Sequence, residues 1–376
     1  MTGLAITFWV CVGLLLYSLV GYPLLLEALV RLRPRRASAA GPAHQLPSVS
    51  VIVAAYAEAE VIADRIANLR ELDYPPDRLE LIVACDGSPD ATAERARAAG
   101  ADLVLELPRG GKIRAQDAGV DRSHGQIVAF SDANVTWRAD ALRRLVAPFA
   151  DPRVGYVCGD VRLVDQQGDN QEGLYWRYEM MLRALESRLG SVTGGNGAIY
   201  ATRREAYLVV DPIMGHDLSF PFNMVKRGWR AVYTSDAHAS EKMVPTLEGE
   251  FARKRRMMGH TWPIVVRGGM LSPRGYDPMY ALMIVSHRIL RYLSPFLHLL
   301  ALVINVTLVS SGWVYIATLA IQVAVLLAAL LAGAFRLRPL LIARYYVLTT
   351  FSLAVGLWDW LSRGTQAGWE PAEGTR

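Results

Sequence analysis

Ser131-Asp132-Ala133-Asn134 follows the apolar run Ile127-Val128-Ala129-Phe130 and sets a carboxylate and a carboxamide two residues apart at a strand mouth. Such a turn can hold a divalent metal against a diphosphate, since both side chains offer hard oxygens. An Asp at a strand end also serves as a turn former or a helix N-cap, and Asp132 fits those roles as well. Two more runs end in polar or small residues: Val51-Ile52-Val53-Ala54-Ala55-Tyr56, and Leu81-Ile82-Val83-Ala84 before Cys85-Asp86-Gly87-Ser88. Downstream lie Gly194-Gly195-Asn196, His216-Asp217 and Arg253-Lys254-Arg255-Arg256.

These residues need a frame that brings strand ends together. Short β-branched runs at 49–55, 79–84, 103–105, 127–130 and 154–164 alternate with helical periodicity at 58–72, 90–99, 112–123 and 139–149. That alternation predicts βαβ units and an α/β fold with a mostly parallel sheet. Such sheets bind ligands beyond their C-terminal strand ends, where Tyr56, Asp86 and Asp132 all fall.

Composition limits the class. With 376 residues, 52% of them apolar, and a mean hydropathy of +0.20, the chain is too hydrophobic for an ordinary soluble enzyme. Its 20% of charged residues are too many for a pure membrane bundle. Net charge is +5 without an interleaved basic and aromatic face, which argues against nucleic acid as a partner and leaves lipid headgroups and phosphates. Cys11, Cys85 and Cys158 make neither a disulfide framework nor a zinc site.

Residues 4–26 are uncharged and about 34 Å long as a helix, and Arg31, Arg33, Arg35 and Arg36 follow them. An uncleaved anchor with its C-terminal end in the cytoplasm is expected. Residues 292–309 and 312–335 are further candidate spans, whereas 345–358 is marginal. The expected division is an anchor (1–30), a basic linker (31–47), a cytoplasmic domain (48–270), an interfacial segment (271–291), a transmembrane region (292–362) and a tail (363–376).

In their order the motifs resemble a family 2 glycosyltransferase, over roughly residues 47–269. The resemblance implies a GT-A-like, mostly parallel sheet flanked by helices, with one N-terminal and two to three C-terminal transmembrane helices. It implies inverting transfer from a nucleotide-sugar, UDP-sugars foremost, with Mg2+ or Mn2+, to a lipid-linked or polysaccharide acceptor at a bacterial inner membrane. Homo-oligomerisation is left open.

By the same resemblance, Tyr56 stacks on the base or touches the ribose, Glu58 contacts the nucleotide, Asp86 recognises the base and Lys112 faces the diphosphate. Asp132 and Asn134 match the metal motif, with a carboxamide for the second carboxylate. Gly194, Gly195 and Asn196 resemble the acceptor-side glycine segment, whose missing side chains make room for the acceptor. Asp217 takes the place of the general base, with His216 beside it. Arg253-Lys254-Arg255-Arg256-Met257 aligns with Gln-x-x-Arg-Trp, putting Arg253 on the donor and Arg256 on the leaving diphosphate. Met257 stands where polymerising relatives carry an aromatic platform, which leans the reading towards single additions. Trp262 could substitute only in another helix register. The alternatives are a processive synthase, or an inactive nucleotide-sugar-binding subunit of an envelope polysaccharide machine, which Asn134, His216 and Met257 motivate.

Overall fold

The computed structural model describes residues 2–32, 46–164, 172–242, 247–335, 337–365 and 367, so most of the expected linker and tail lies outside the described residues. Thr2–Leu16 (α1) continues through a π-helical turn into Tyr22–Leu32 (α2). Then come Val49–Ala55 (β1), Ile62–Arg70 (α3), Leu79–Asp86 (β2), Thr92–Ala98 (α4), Leu103–Leu107 (β3), Lys112–Arg122 (α5) and Ile127–Asp132 (β4). β1, β2 and β4 are apolar and almost wholly buried, as strands covered on both faces must be. The four strands pair in parallel in the order β3-β2-β1-β4, so Tyr56, Asp86 and Asp132 come to one edge.

The second half of the sheet departs from the βαβ rhythm. Val135–Trp137 (β5), Ala141–Val146 (α6), Val154–Val164 (β6), Glu172–Leu189 (α7), Tyr200–Arg203 (β7), His216–Lys226 (α8) and Arg230–Lys242 (β8) extend it to eight strands, β3-β2-β1-β4-β7-β6-β8-β5. β7 runs antiparallel between β4 and β6, and β5 antiparallel to β8. One face packs Ile62, Ile66, Leu69, Leu142 and Leu145 around Trp137; the other packs Phe130, Tyr156, Tyr200, Phe220 and Met224.

Below this domain lie Leu247–Val266 (α9), Pro278–Met283 (α10), Leu290–Leu308 (α11), Trp313–Leu331 (α12) and Arg338–Arg363 (α13). Four described segments are long and apolar enough to cross a membrane: Thr2–Leu32, Pro278–Ser311, Trp313–Leu331 and Arg338–Arg363. Phe8, Cys11 and Leu15 of α1 pack on Ala301, Ile304 and Leu308 of α11. α2 instead joins α7, α8 and α9 in a core beneath the domain.

The marginal last segment proves to be a 26-residue helix, about 39 Å long, because residues upstream of 345 extend it. It is tied to α9 at both ends. Arg344 bonds Glu248 near its start; Arg255 holds Asp359 with Nε at 2.5 Å and Nη2 at 2.7 Å; Thr365 donates to the Gly259 carbonyl just beyond it. Between them the Trp262 indole donates to the Leu353 carbonyl, and Gly356 lets α13 close on Met258. α9 itself lies on the domain, its His260 bonded to the Ile213 carbonyl. α13, long and apolar enough to span, is therefore packed along α9 through most of its length.

Candidate active site

The sheet edge, α7, α8, α9 and the membrane helices enclose a cavity of about 470 Å³. Of the residues singled out in the sequence, Glu58, Lys112, Asp132, Asn134, Gly194, Gly195, Asn196, His216, Asp217, Arg253 and Arg256 line it. Tyr56 and Asp86 do not; Arg109 joins them, lying over the Tyr56 ring and paired with the Asp86 carboxylate.

β4 carries Asp132 to the cavity floor, where its carboxylate pairs with the ammonium of Lys112, the first residue of α5. Both are about a quarter exposed. Burial works against the Lys112 charge, yet Asp132, with Asp217 and Glu241 beyond, holds its pKa above the ordinary value. Gly197 keeps the approach open, since a Cβ there would lie 3.3 Å from Lys112 Nζ and 3.6 Å from Asp132 Oδ2.

Gly111 precedes α5 at φ +97°, a conformation that favours glycine. Helix N-termini of this kind commonly take phosphate. Here the amides of Gly110 and Gly111 donate to the buried Asp86 carboxylate, at 2.6 and 3.0 Å, and Arg109 completes its shell at 2.9 Å. Asp86 thus pins the loop before Lys112. The Arg109 guanidinium then lies 3.3 Å over the Tyr56 ring.

Asp217 sits in the first turn of α8, where a negative charge is favoured. Its carbonyl accepts from the Gly195 amide at 2.6 Å, so the glycine segment fixes the helix start. The space left by the missing side chains is filled from within. A Cβ on Gly194 would collide with Arg288 Nη2, and one on Gly195 with the Tyr156 hydroxyl. The Asn196 amide is likewise spent on the Gly159 carbonyl and the Ile199 amide, at 2.8 and 2.9 Å.

His216 is buried, stacked on Phe220 with centroids 3.9 Å apart, and bonded through Nδ1 to the Tyr200 hydroxyl at 2.9 Å. Burial, and then Lys112, pushes its pKa down to about 3, so it stays neutral. From α9, Arg253 binds Glu250 in bidentate fashion at 2.7 and 2.8 Å, Lys254 reaches the Tyr345 hydroxyl at 2.5 Å, and exposed Arg256 faces the cavity.

Sequence reasoning missed several lining residues. Glu241 ends β8 opposite Val135, and burial followed by the Asp132 charge pushes its pKa up to about 7. Its signal lay in a strand pairing that no local pattern announced. Arg183 comes from α7. Arg288 and Arg291, just before the apolar run 292–309, line the cavity as well; Arg288 does so from the π-helical turn Ile284–Ile289. Intramembrane or near-membrane arginines carry such a signal by themselves.

Residues 50–209 match the sequence model of the family described as Glycosyl transferase family 2. The chain carries a family 2 glycosyltransferase domain. Relatives include an N-acetylglucosaminyltransferase of Rhizobium meliloti (27% identical, over 58% of this chain and 56% of the relative). Another is a poly-beta-1,6-N-acetyl-D-glucosamine synthase of Staphylococcus aureus (24% identical, 56% and 54%). The chain spans about half the length of the curated relatives it matches. Among solved structures, a mannosyltransferase from Pyrobaculum calidifontis, determined with GDP-Man and Mn2+, superposes with a TM-score of 0.72 at 24% identity, over 95% of this chain and 99% of its own. The GT-A-like architecture of the domain, with its apolar helices, is thereby shared across nearly the whole chain.

Proposed function

We propose that this chain transfers a sugar, with inversion, from a nucleotide-sugar to a membrane-associated acceptor. The observation that carries the reading is the convergence of Asp132 with Lys112, Asp217 and Arg256 on one cavity whose far wall is made by α11 and α13. Similarity to N-acetylglucosaminyltransferases and to a polysaccharide synthase supports the reaction class.

Among the described residues no three His, Cys, Asp or Glu side chains are grouped to hold an ion. Asp132 and Asn134 nevertheless offer hard oxygens beside each other, a set that suits Mg2+ or Mn2+ when a diphosphate supplies further ligands. Such an ion would supply positive charge to the leaving group.

The chain's own residues do the rest. The Tyr56 and Arg109 cleft seats the base, and Lys112 and Arg256 bind the diphosphate. Asp217 takes the proton of the acceptor hydroxyl as its oxygen bonds the anomeric carbon. The bond from that carbon to the diphosphate breaks, and its electron pair leaves on the phosphate oxygen that Lys112 and Arg256 stabilise. His216, neutral and packed, orients the start of α8. The domain would face the cytoplasm at a bacterial inner membrane.

Single additions fit better than polymerisation. Met257 lacks a flat ring face for sugar stacking, and Trp262 is buried with its indole bonded to Leu353. The test is nucleotide release from a panel of UDP- and GDP-sugars by the full chain in acceptor-containing membranes, with sugar recovered in the lipid extract. No release from any donor overturns transfer and leaves a nucleotide-sugar-binding subunit.

A further inference from the structure

On the reading that sugar is transferred here, we propose that Arg288 and Arg183 seat a phosphate of the acceptor, a lipid whose hydrocarbon is joined to its sugar through phosphate or diphosphate. Both arginines line the cavity and are more than nine-tenths buried, at 8% and 6% exposure. Arg288 donates Nε to Thr193 at 2.9 Å, but its Nη2 is buried with no hydrogen-bond partner among the described residues. Arg183 Nε is equally without one, and its Nη1 reaches only the Met180 sulfur at 4.0 Å. A buried guanidinium donor left unmade is costly, and such groups mark places where a ligand completes the set.

Local acids do not fill the need. Glu186 is occupied by Tyr22 at 2.7 Å, by Thr193 and by His287 at 2.7 Å, while Glu179 holds Arg291. Neither carboxylate hydrogen-bonds Arg288 or Arg183, whose guanidiniums line the cavity.

The position selects the acceptor. Arg288 abuts Gly194, and the next residue, Gly195, is bonded to Asp217, so the anion seat lies beside the anchor of the base. On the other side the cavity wall continues into Tyr292 of α11 and Thr349, Ser352 and Leu353 of α13. A phosphate at Arg288 would have its sugar towards Asp217 and its hydrocarbon towards these helices.

The experiment uses the full chain in nanodiscs and measures binding of farnesyl diphosphate, farnesol, inorganic pyrophosphate, UDP and GDP. Farnesyl diphosphate is expected to bind at least about tenfold more tightly than either farnesol or pyrophosphate. Arg183→Gln and Arg288→Gln should each weaken it by about tenfold or more, the range for a lost charged hydrogen bond, with UDP and GDP binding unchanged. Should Arg288→Gln fail to fold, Arg183→Gln carries the test, because that guanidinium has only the distant Met180 sulfur and the Trp176 ring to lose. Equal binding of farnesol would overturn the anion seat, and equal binding of pyrophosphate would overturn the lipid source. Loss of nucleotide affinity in the variants would mean that the arginines serve the donor. Binding of farnesyl diphosphate without nucleotide release from any donor would leave the seat standing and remove the transfer reading, so the two fail separately.

Discussion

Asp132 and Asp217 divide the chemistry between them, and their surroundings explain how each can be tested. Asp132 is held by Lys112 and is the carboxylate of its turn. Asp132→Ala should reduce transfer at least ~10²-fold, as should chelation, while Asn134→Asp should keep activity and tighten metal dependence. Full activity of Asp132→Ala in excess chelator would remove the metal from the mechanism. Asp217→Asn should keep donor binding and lose turnover by at least ~10²-fold, read by single-turnover kinetics. His216 behaves oppositely, since its ring packs on Phe220 and bonds Tyr200. His216→Ala should cost about 1–3 kcal/mol of stability and little in the chemical step. Its pKa, pushed down to about 3, gives a sign for pH. The unfolded histidine protonates near pH 6.5 and the folded one does not. Stability is therefore full above that value and falls by about 1.36 kcal/mol per unit as pH drops from 6.5 towards 3. Thermal unfolding in detergent between pH 7 and 5 should be flatter in His216→Phe than in the parent.

At the level of elements, the glycine segment behaves as a bracket for α8. Gly195 is bonded to Asp217 and pressed against Tyr156, so Gly195→Ala should displace the start of α8 and lower turnover. Adding Tyr156→Phe removes the hydroxyl that collides and should restore part of the loss; equal activity of single and double variants would dismiss the contact. Much of this organisation was legible in the chain. β1, β2, β4 and β6 are β-branched and buried, so their run lengths and polar ends announced both the sheet and the motif-bearing edge. β5 and β7, at 3 and 4 residues, are too short for any period to register, and their antiparallel pairing is a long-range fact. Glu241 and Arg183 escaped for the same reason, since pairing and packing alone bring them to the cavity. Arg288 escaped for another reason: a charge before an apolar run resembles a membrane flank until the π-helical turn directs it inward.

The whole molecule is a domain joined to four helical segments long and apolar enough to cross a membrane, the last of which, α13, is fastened along α9. Because Arg344, Asp359 and Thr365 all tie α13 to α9, both of its ends are expected on the domain's side of the membrane. Cys11, Cys85 and Cys158 are buried, so introduced cysteines can be labelled cleanly. Asp77→Cys and Arg363→Cys should react with an impermeant thiol reagent from one side of sealed vesicles, and Ser311→Cys from the other. Labelling of Arg363→Cys together with Ser311→Cys would mean that α13 crosses.

α13 has one more property that bears on how such a molecule is handled. Its inner side closes the cavity with Thr349, Ser352 and Leu353, while Ile342, Phe351, Trp358 and Leu361 point away, 45–69% exposed. An apolar side of that kind is held flat by surrounding lipid. The bilayer is then the outer buttress of the reaction chamber, and a delipidated preparation would leak water into it and hydrolyse donor uselessly. Reconstitution should raise the share of donor sugar that reaches acceptor over the share lost to water.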